Sequence, residues 1–483
     1  TFTSTIDDDV AGQTGLTLIA GLGDVNLQGN VGATNAVAQL LATGANINLH
    51  DVKTTGIQTY TASGTITTNS AYVSAGSDIT FAGDTVLNDA TTVDTTNGGA
   101  VGAGANVAFN GTLNSQATEY NTLGITAGTA GDITFGGIVG GAGATQTLGA
   151  VTINSADNVT ATTFTAASLT QVDGSGTTTL NGAVNTNAVA GVNIVNEAII
   201  VNNSITTANG GIVTLNGTGA FPSVLIGANG DITADGAVTL IGANGITSSG
   251  DVTTTGDTIT FTGDTNFVAG ATLDTGTGAN ITFNNSLTLS GTPGSYALTL
   301  RAASGNVNFT GGVYIDDNNL TVASSNVTNV TAGITGTTGN VDFTTTDKTN
   351  VDGAISLTGA GTVTMDAATI SGVNITTGSG AVRFDGAVVL DTGAVAIDTT
   401  SAGNGGDITF ASTLDGGQTL GIIAGTAGDV VFTGAVGGNT RLGAITITSA
   451  DNVTAAAITA ASLAQLAGSG TTTFNGSVNT NAG

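Results

Sequence analysis

The sequence predicts an all-β chain folded as a single elongated parallel β-helix, or β-solenoid, with coils of about 20–25 residues. Three observations carry that prediction: a composition of strand and turn formers, a short apolar–polar–apolar unit that recurs along the chain, and a long internal duplication. Of 483 residues, 76 are Gly and two are Pro, and the apolar 40% is drawn mainly from Val, Ile, Leu and Ala. Only 8% of residues are charged, so the chain has enough apolar surface for a core and too little charge density for a disordered polymer. β-branched side chains suit a pleated surface, and Gly, Asn and Asp suit tight turns.

The short unit reads as a turn residue, then apolar, polar, apolar. It stands at Asp78-Ile-Thr-Phe81, Asn106-Val-Ala-Phe109, Asp132-Ile-Thr-Phe135, Asn280-Ile-Thr-Phe283 and Asn306-Val-Asn-Phe309, and again at Asn340-Val-Asp-Phe343, Asp407-Ile-Thr-Phe410 and Asp429-Val-Val-Phe432. Leu27, Leu49, Leu180, Leu215, Leu240 and Met365 take the aromatic position elsewhere. Alternation puts Ile and Phe on one face and Thr on the other. A strand this short buries nothing alone, so each unit must stack on the next, Phe on Phe and Thr on Thr. At about 4.8 Å per coil, roughly twenty coils predict a rod on the order of 100 Å long.

The duplication is explicit. Residues 155–188 and 449–482 agree at 26 of 34 positions, and AGTAGDITF at 127–135 matches AGTAGDVVF at 424–432. The long repeats span approximately 79–188 and 382–482, with a weaker copy at approximately 259–345, inside one continuous solenoid over 1–483. No Pro-, Ser- or charge-rich linker divides it. Ala36–Ala42 and Ala166–Gln171 have short helical patterns, but Gly and β-branched neighbours oppose long helices. Pro222 and Pro293 read as loops.

Charge narrows the function. Thirty-three acids face five bases (Lys53, Arg301, Lys348, Arg383 and Arg441), a net charge of −28 that repels nucleic acid. Glu119 and Glu197 are the only glutamates; every other acid is Asp, a turn former. The acidity therefore reads as turn chemistry, with structural calcium between stacked turns as the sharper alternative. Cys is absent, which removes disulfides and thiolate metal sites. No apolar run reaches the length of a membrane helix. The chain opens on Thr1, as a processed mature chain or an excised fragment would. Few basic residues also mean few trypsin sites, so native digestion is expected to be slow; rapid conversion to small fragments would contradict a compact solenoid.

Catalysis finds no constellation, and the chain is read as a non-enzyme with no catalytic or cofactor-binding residue. Arg383 and Asp385 lie two apart on one strand face, as an exposed ion pair rather than a catalytic arginine. Asp7-Asp8-Asp9 and Asp316-Asp317 are the acidic clusters, and adjacent strand residues point to opposite faces; Asp316–Asn319 reads as a turn. His50 is the sole histidine, a surface residue beside Asp51 and Lys53, so a His-based metal site or acid–base pair has no second member. Arg301 sits singly among the coils. Gly140–Ala144 lacks the Lys and helix of a phosphate loop, and Gly98-Gly99 lacks the Asp of a calcium-binding nonapeptide.

Thr54-Thr-Gly-Ile-Gln-Thr-Tyr60, the Gly-Asp-Ile-Thr-Phe phrases and GTTTFNG at 470–476 resemble giant bacterial β-strand-repeat surface proteins, of the filamentous-haemagglutinin-like adhesin type. The resemblance covers essentially the whole chain. It implies a right-handed parallel β-helix, export to the bacterial cell surface or beyond, and a part in adhesion, aggregation or biofilm. The family's secretion domain and membrane barrel are not recognisable here. The last residues, Asn479–Gly483, stop within a repeat whose earlier copy runs on into Val189, as in a segment of a longer polypeptide. The expected function is the shaft of a surface adhesin, with other cells, surface glycans or copies of itself as partners. The alternatives are a subunit that assembles end to end or laterally into an extracellular filament or surface layer, and a polysaccharide-active β-helix enzyme.

Overall fold

The structure is a computed structural model describing residues 1–141, 143, 145–219, 222–294 and 296–481. Ala142 and Ala144 of the glycine-rich stretch, and Ala482 at the end of the second long repeat, lie outside the described residues. The described chain is all-β, without an α-helix, and its strands pair in parallel as stacked coils of a β-solenoid. It divides into two compact units, Thr1–Ile246 and Thr247–Gly483.

Each coil carries up to three short strands, one for each of three parallel sheets around an apolar interior. In the first unit, Thr177–Leu180, Val184–Thr186 and Val192–Asn196 form such a set, and the next coil places Ala198–Val201, Ile205–Thr207 and Val213–Gly217 in register beside them. In the second unit, Val307–Phe309, Val313–Asp316 and Asn319–Ser324 pair with Val327–Val330, Ile334–Gly336 and Val341–Phe343. Between paired strands coil length varies from 18 residues, Leu40 to Gln58, to 32, Thr91 to Leu123. Neither short helical pattern forms a helix: the strand Leu40–Gly44 takes up the end of the first, and Phe164–Gln171 covers the second. Tertiary pairing of β-branched neighbours outweighs the weak local preference.

The interior follows from the alternation. Ile133 and Phe135 are buried while Thr134 between them is half-exposed, and the same buried–intermediate–buried pattern recurs in most three-residue strands. Burying one Val, Leu, Ile or Phe is worth about 1.5–3 kcal/mol. Ordering each residue's backbone costs roughly 1–2 kcal/mol, so a coil holds its shape only when neighbours cover it on both sides.

Aromatic rings stack along the interior. Tyr60, Phe81, Phe109 and Phe135 form one run, with centroids 5.2, 4.7 and 5.9 Å apart. Phe261, Phe283 and Phe309 form another at 4.9 and 5.7 Å, and Phe384, Phe410 and Phe432 a third at 5.1 and 5.2 Å. The recurrent unit does not keep to one sheet, which corrects its reading as one mark per coil. Phe309 pairs with Val330, whereas Phe343 lies in a different sheet, opposite Val322. Their rings still meet at 6.2 Å. All three sheets present apolar–polar–apolar strands to the same interior, so a ring entering from any side reaches the same stack.

The repeated AGTAGD phrase has a backbone reason. Gly104 and Gly128, both at positive φ, cross so closely that a Cβ on Gly104 would overlap the Ala127 carbonyl. Gly405 and Gly425 repeat this crossing in the second long copy, against the Ala424 carbonyl.

Candidate functional site

The Asp or Asn before each Ile-Thr-Phe has a partner one coil away. Asp78 Oδ1 accepts the Asn106 N–H at 3.0 Å, Asn106 Oδ1 the Asp132 N–H at 2.9 Å, and Asp132 Oδ1 the Asn158 N–H at 3.1 Å. Asn158 Oδ1 then accepts the Thr177 N–H at 2.9 Å. The second unit repeats the device along Asp407, Asp429, Asn452 and Thr471, at 2.9, 3.0 and 2.9 Å. Another run passes from Asn319 through Asn340 to Thr362. The side-chain oxygen at each corner holds the N–H at the start of the matching strand one coil on, in most cases that of the residue just before it, so these residues set where each strand begins. Turn propensity alone does not reveal that role. An acceptor one coil away is hidden in the sequence because coil length varies.

Asp132 also accepts from the Asn158 Nδ2 at 2.9 Å. Asp132→Ala is expected to cost about 1–2 kcal/mol of local stability by removing a charged acceptor at the surface. Asp132→Asn, which keeps an oxygen there, should stay close to the parent. Amide exchange at Asn158 and Val159 measures the difference.

Outward amides form a second ladder. Asn308 donates to Thr282 Oγ1 at 3.2 Å, Asn329 to Asn308 Oδ1 at 2.8 Å, and Asn350 to Asn329 Oδ1 at 2.7 Å. Inside, the Thr54–Tyr60 phrase forms a buried polar cluster. Gln58 donates to the Val73 carbonyl at 2.8 Å and accepts from Tyr60 Oη at 2.8 Å. Burial holds the Tyr60 and Tyr72 phenols well above the usual tyrosine range.

The residues weighed for chemistry do not converge. Arg383 donates to Asp385 through Nε at 2.7 Å and Nη2 at 2.5 Å, an exposed pair. His50 is exposed, its Nδ1 3.9 Å from Asp51. Arg301 lies 3.9 Å from Asp274, its register partner in the preceding coil. Arg441, for which the sequence suggests no role, donates to the carbonyls of Ala460 at 2.7 Å and Asn479 at 3.2 Å, tying the following coils together. Asp8 accepts three backbone N–H groups, from Asp9, Gln13 and Thr14. The Thr14 bond is the main reason its carboxyl is held below the usual range. Asp316 ends its strand at positive φ, and Asp317 accepts from Thr337 and Thr338 of the next coil, which holds its carboxyl low. Among the described residues, no group of three or more His, Asp or Glu side chains is placed to hold a metal ion, and no helix is long and apolar enough to cross a membrane.

Asp342 is an exposed carboxylate whose charged form is disfavoured. Partial desolvation, then the charges of Asp366 and Asp385, raise its pKa from the ordinary 3.8, while Arg383 is engaged by Asp385. A raised folded pKa means the ionised form destabilises the fold at neutral pH, and the penalty lifts as pH falls through that pKa. Asp342→Asn is expected to raise the melting temperature at pH 7. The gain should shrink on acidification and vanish by about pH 3, below both the folded and the unfolded pKa, where the parent is protonated in both states. Melting curves from pH 3 to 8 test the sign.

At the last described coils the interior is lined by Ile447, Val453, Ile458, Leu463 and Phe474. Comparisons of the chain with protein-family models, with curated proteins and with solved structures return no match.

Proposed function

We propose that this chain is a structural shaft segment of a secreted bacterial surface adhesin, holding a binding region away from the cell and supporting adhesion or biofilm. The observation that supports the reading is the corner ladder. Asp78, Asn106, Asp132 and Asn158, and again Asp407, Asp429 and Asn452, spend their side-chain oxygens on the backbone of the next coil. Polar chemistry directed from coil to coil serves cohesion along the stack, and the interior is filled by stacked rings and aliphatic side chains. A spacer needs those two properties and no reaction centre. The reading takes no cofactor; a calcium-dependent rise in melting temperature would add one.

The alternative is a subunit that assembles into an extracellular filament or surface layer. The argument for it is that a β-solenoid ends in unpaired strand edges, and unpaired edges template further strands. Electron microscopy of the purified chain separates the two. Separate particles of one fixed length support the shaft; long filaments with a regular repeat overturn it in favour of assembly. Turnover of polysaccharide by the purified chain would overturn both.

A further inference from the structure

The long duplication builds one corner of the solenoid in two ways. In the second copy the coil from Leu414 to Val436 takes 22 residues, and so does that from Val436 to Ile458. The corresponding coils of the first copy, Leu113 to Val139 and Val139 to Phe164, take 26 and 25. The extra residues fall at the same corner of both coils, between Leu113 and Leu123 in one and between Val139 and Leu148 in the next. The short corner is closed tightly: Asp415, 8% exposed, accepts the N–H groups of Asn439 at 2.8 Å and Thr440 at 3.1 Å, and Arg441 ties the coils beyond. The fold therefore closes this corner without the longer connections.

The long corner projects. Ala117, Thr118, Glu119 and Tyr120 are exposed, and the two lengthened connections brace each other. The Ser115 N–H donates to the Gln146 carbonyl at 3.0 Å, and the Thr118 N–H to that of Thr145 at 2.7 Å. Asn121 fixes the base of the loop: its Nδ2 donates to the Leu87 carbonyl at 2.9 Å and to Glu119 Oε2 at 3.3 Å, and its N–H donates to Ser115 Oγ at 2.8 Å. The Tyr120 carbonyl packs on Gly149, where a Cβ would stand 2.2 Å away. Thr118 and Tyr120 both hold a positive φ, 70° and 55°, a costly conformation for a β-branched residue above all. Strain is thus kept in a segment that the fold can do without, and such strain gathers at binding sites. Insertions in a solenoid repeat likewise map to loops on one face, often the binding face.

The loop's chemistry is set apart from the rest of the chain. Glu119 is one of two glutamates, and Tyr120 is 47% exposed where Tyr60 and Tyr72 are fully buried. An exposed phenol offers an apolar face with a polar tip, and the neighbouring carboxylate offers two acceptors. A sugar ring presents the matching surface, C–H groups on a face and hydroxyls around the rim. No basic residue occurs between Lys53 and Arg301, and Asp89 stands at the same corner one coil earlier, so an anionic ligand is repelled.

We propose that residues 116–121, backed by Thr145 and Gln146, form a binding loop for a neutral glycan. Tyr120 is the stacking platform, and Glu119 and Asn121 are the hydrogen-bond partners of the sugar hydroxyls. The inference goes beyond the shaft reading, because it puts a contact on the flank of the first unit in addition to any region that a shaft extends.

Saturation-transfer NMR and calorimetry on the full chain test it, with neutral gluco-, galacto- and manno-configured tetrasaccharides as probes. The expected result is saturable one-to-one binding of at least one of them, with transfer strongest at ring C–H protons. Tyr120→Ala should weaken that binding at least tenfold, and Glu119→Gln at least threefold. A further variant replaces residues 116–122 by Gly-Gln-Thr, the sequence of 417–419, which closes the short corner. It should fold with the parent's circular dichroism and lose binding. No binding of any of the three sugars overturns the proposal, and so does binding that Tyr120→Ala and the shortened loop both retain. Binding of N-acetyl-lysine amide in place of the sugars, lost in Glu119→Gln, would make the loop a cation site and overturn it as well. Particle length in micrographs tests the shaft whichever way sugar binding falls, so the two readings fail separately.

Discussion

Phe283→Asp is expected to unfold the middle of its stack, whereas Thr282→Asp, one residue away, should leave stability within about 0.5 kcal/mol. Phe283 is 1% exposed, its ring between Phe261 at 4.9 Å and Phe309 at 5.7 Å, with interplanar angles of 13° and 7°. Truncating a buried Phe costs about 3–5 kcal/mol through lost transfer energy and the cavity left behind. A carboxylate in that cavity must be desolvated or protonated, which brings the expected total above roughly 5 kcal/mol. Thr282 faces outward, and its hydroxyl accepts from Asn308, a role a carboxylate also fills. Coil-to-coil coupling localises the damage, because each coil touches only its neighbours. Amide exchange should therefore accelerate first at Ile281–Phe283 and in its register partners Ile259–Phe261 and Val307–Phe309. Parent-like protection there in Phe283→Asp would show that the ring stack does not hold the core.

The contrast between Thr282 and Phe283 marks what is legible in a single sequence. Alternation fixes inside and outside residue by residue, so the parallel solenoid and its stacked rings can be read from Asn280-Ile-Thr-Phe283 and its relatives. The number of strands per coil cannot be read in that way. Leu49, Phe81 and Leu215 look like one recurring mark, yet they belong to different sheets, since every side of the coil carries the same alternation. Partners one coil away are hidden for a related reason. Asp132 meets Asn158 26 residues on, Asn308 meets Asn329 after 21, and no fixed period connects such pairs. The duplication is plain in the sequence, but only the structure shows that Ile194 closes the first copy over its Gln171 and Thr178.

Deleting residues 327–347, one complete coil, should disturb the second unit less than deleting the three residues Val341–Phe343. Register explains the paradox. Val327 pairs with Lys348 and Val330 with Val351, so removal of the 21-residue coil brings Lys348–Val351 into the place of Val327–Val330. Thr349 then faces Val307 in place of Thr328, and Val351 faces Phe309 in place of Val330. Ile355 replaces Ile334 against Val313, and Val363 and Met365 replace Val341 and Phe343 against Leu320 and Val322. Inward positions keep their character except two: Met365 replaces a ring, and Leu357 takes the place of Gly336, where a Cβ would stand 2.6 Å from Ile315; Asn350 takes over the hydrogen bond of Asn329 to Asn308. Stability in such stacks is close to a sum of coil and interface terms, so a well-matched new interface should hold the melting temperature within a few degrees. Removing Val341–Phe343 alone leaves the coil in place but strips one sheet of a strand. Leu320 and Val322 lose their partners on one side, Val363 and Met365 on the other, and two buried side chains disappear. At about 2–5 kcal/mol for a large aliphatic or aromatic residue, the loss approaches 5 kcal/mol before unpaired backbone groups are counted. For a unit of this size that is a fall of roughly 10 °C or more in melting temperature. Circular dichroism melts of the two variants decide it: a larger loss from the whole-coil deletion would mean that neighbouring coils are not interchangeable, and that stability is not additive along the stack.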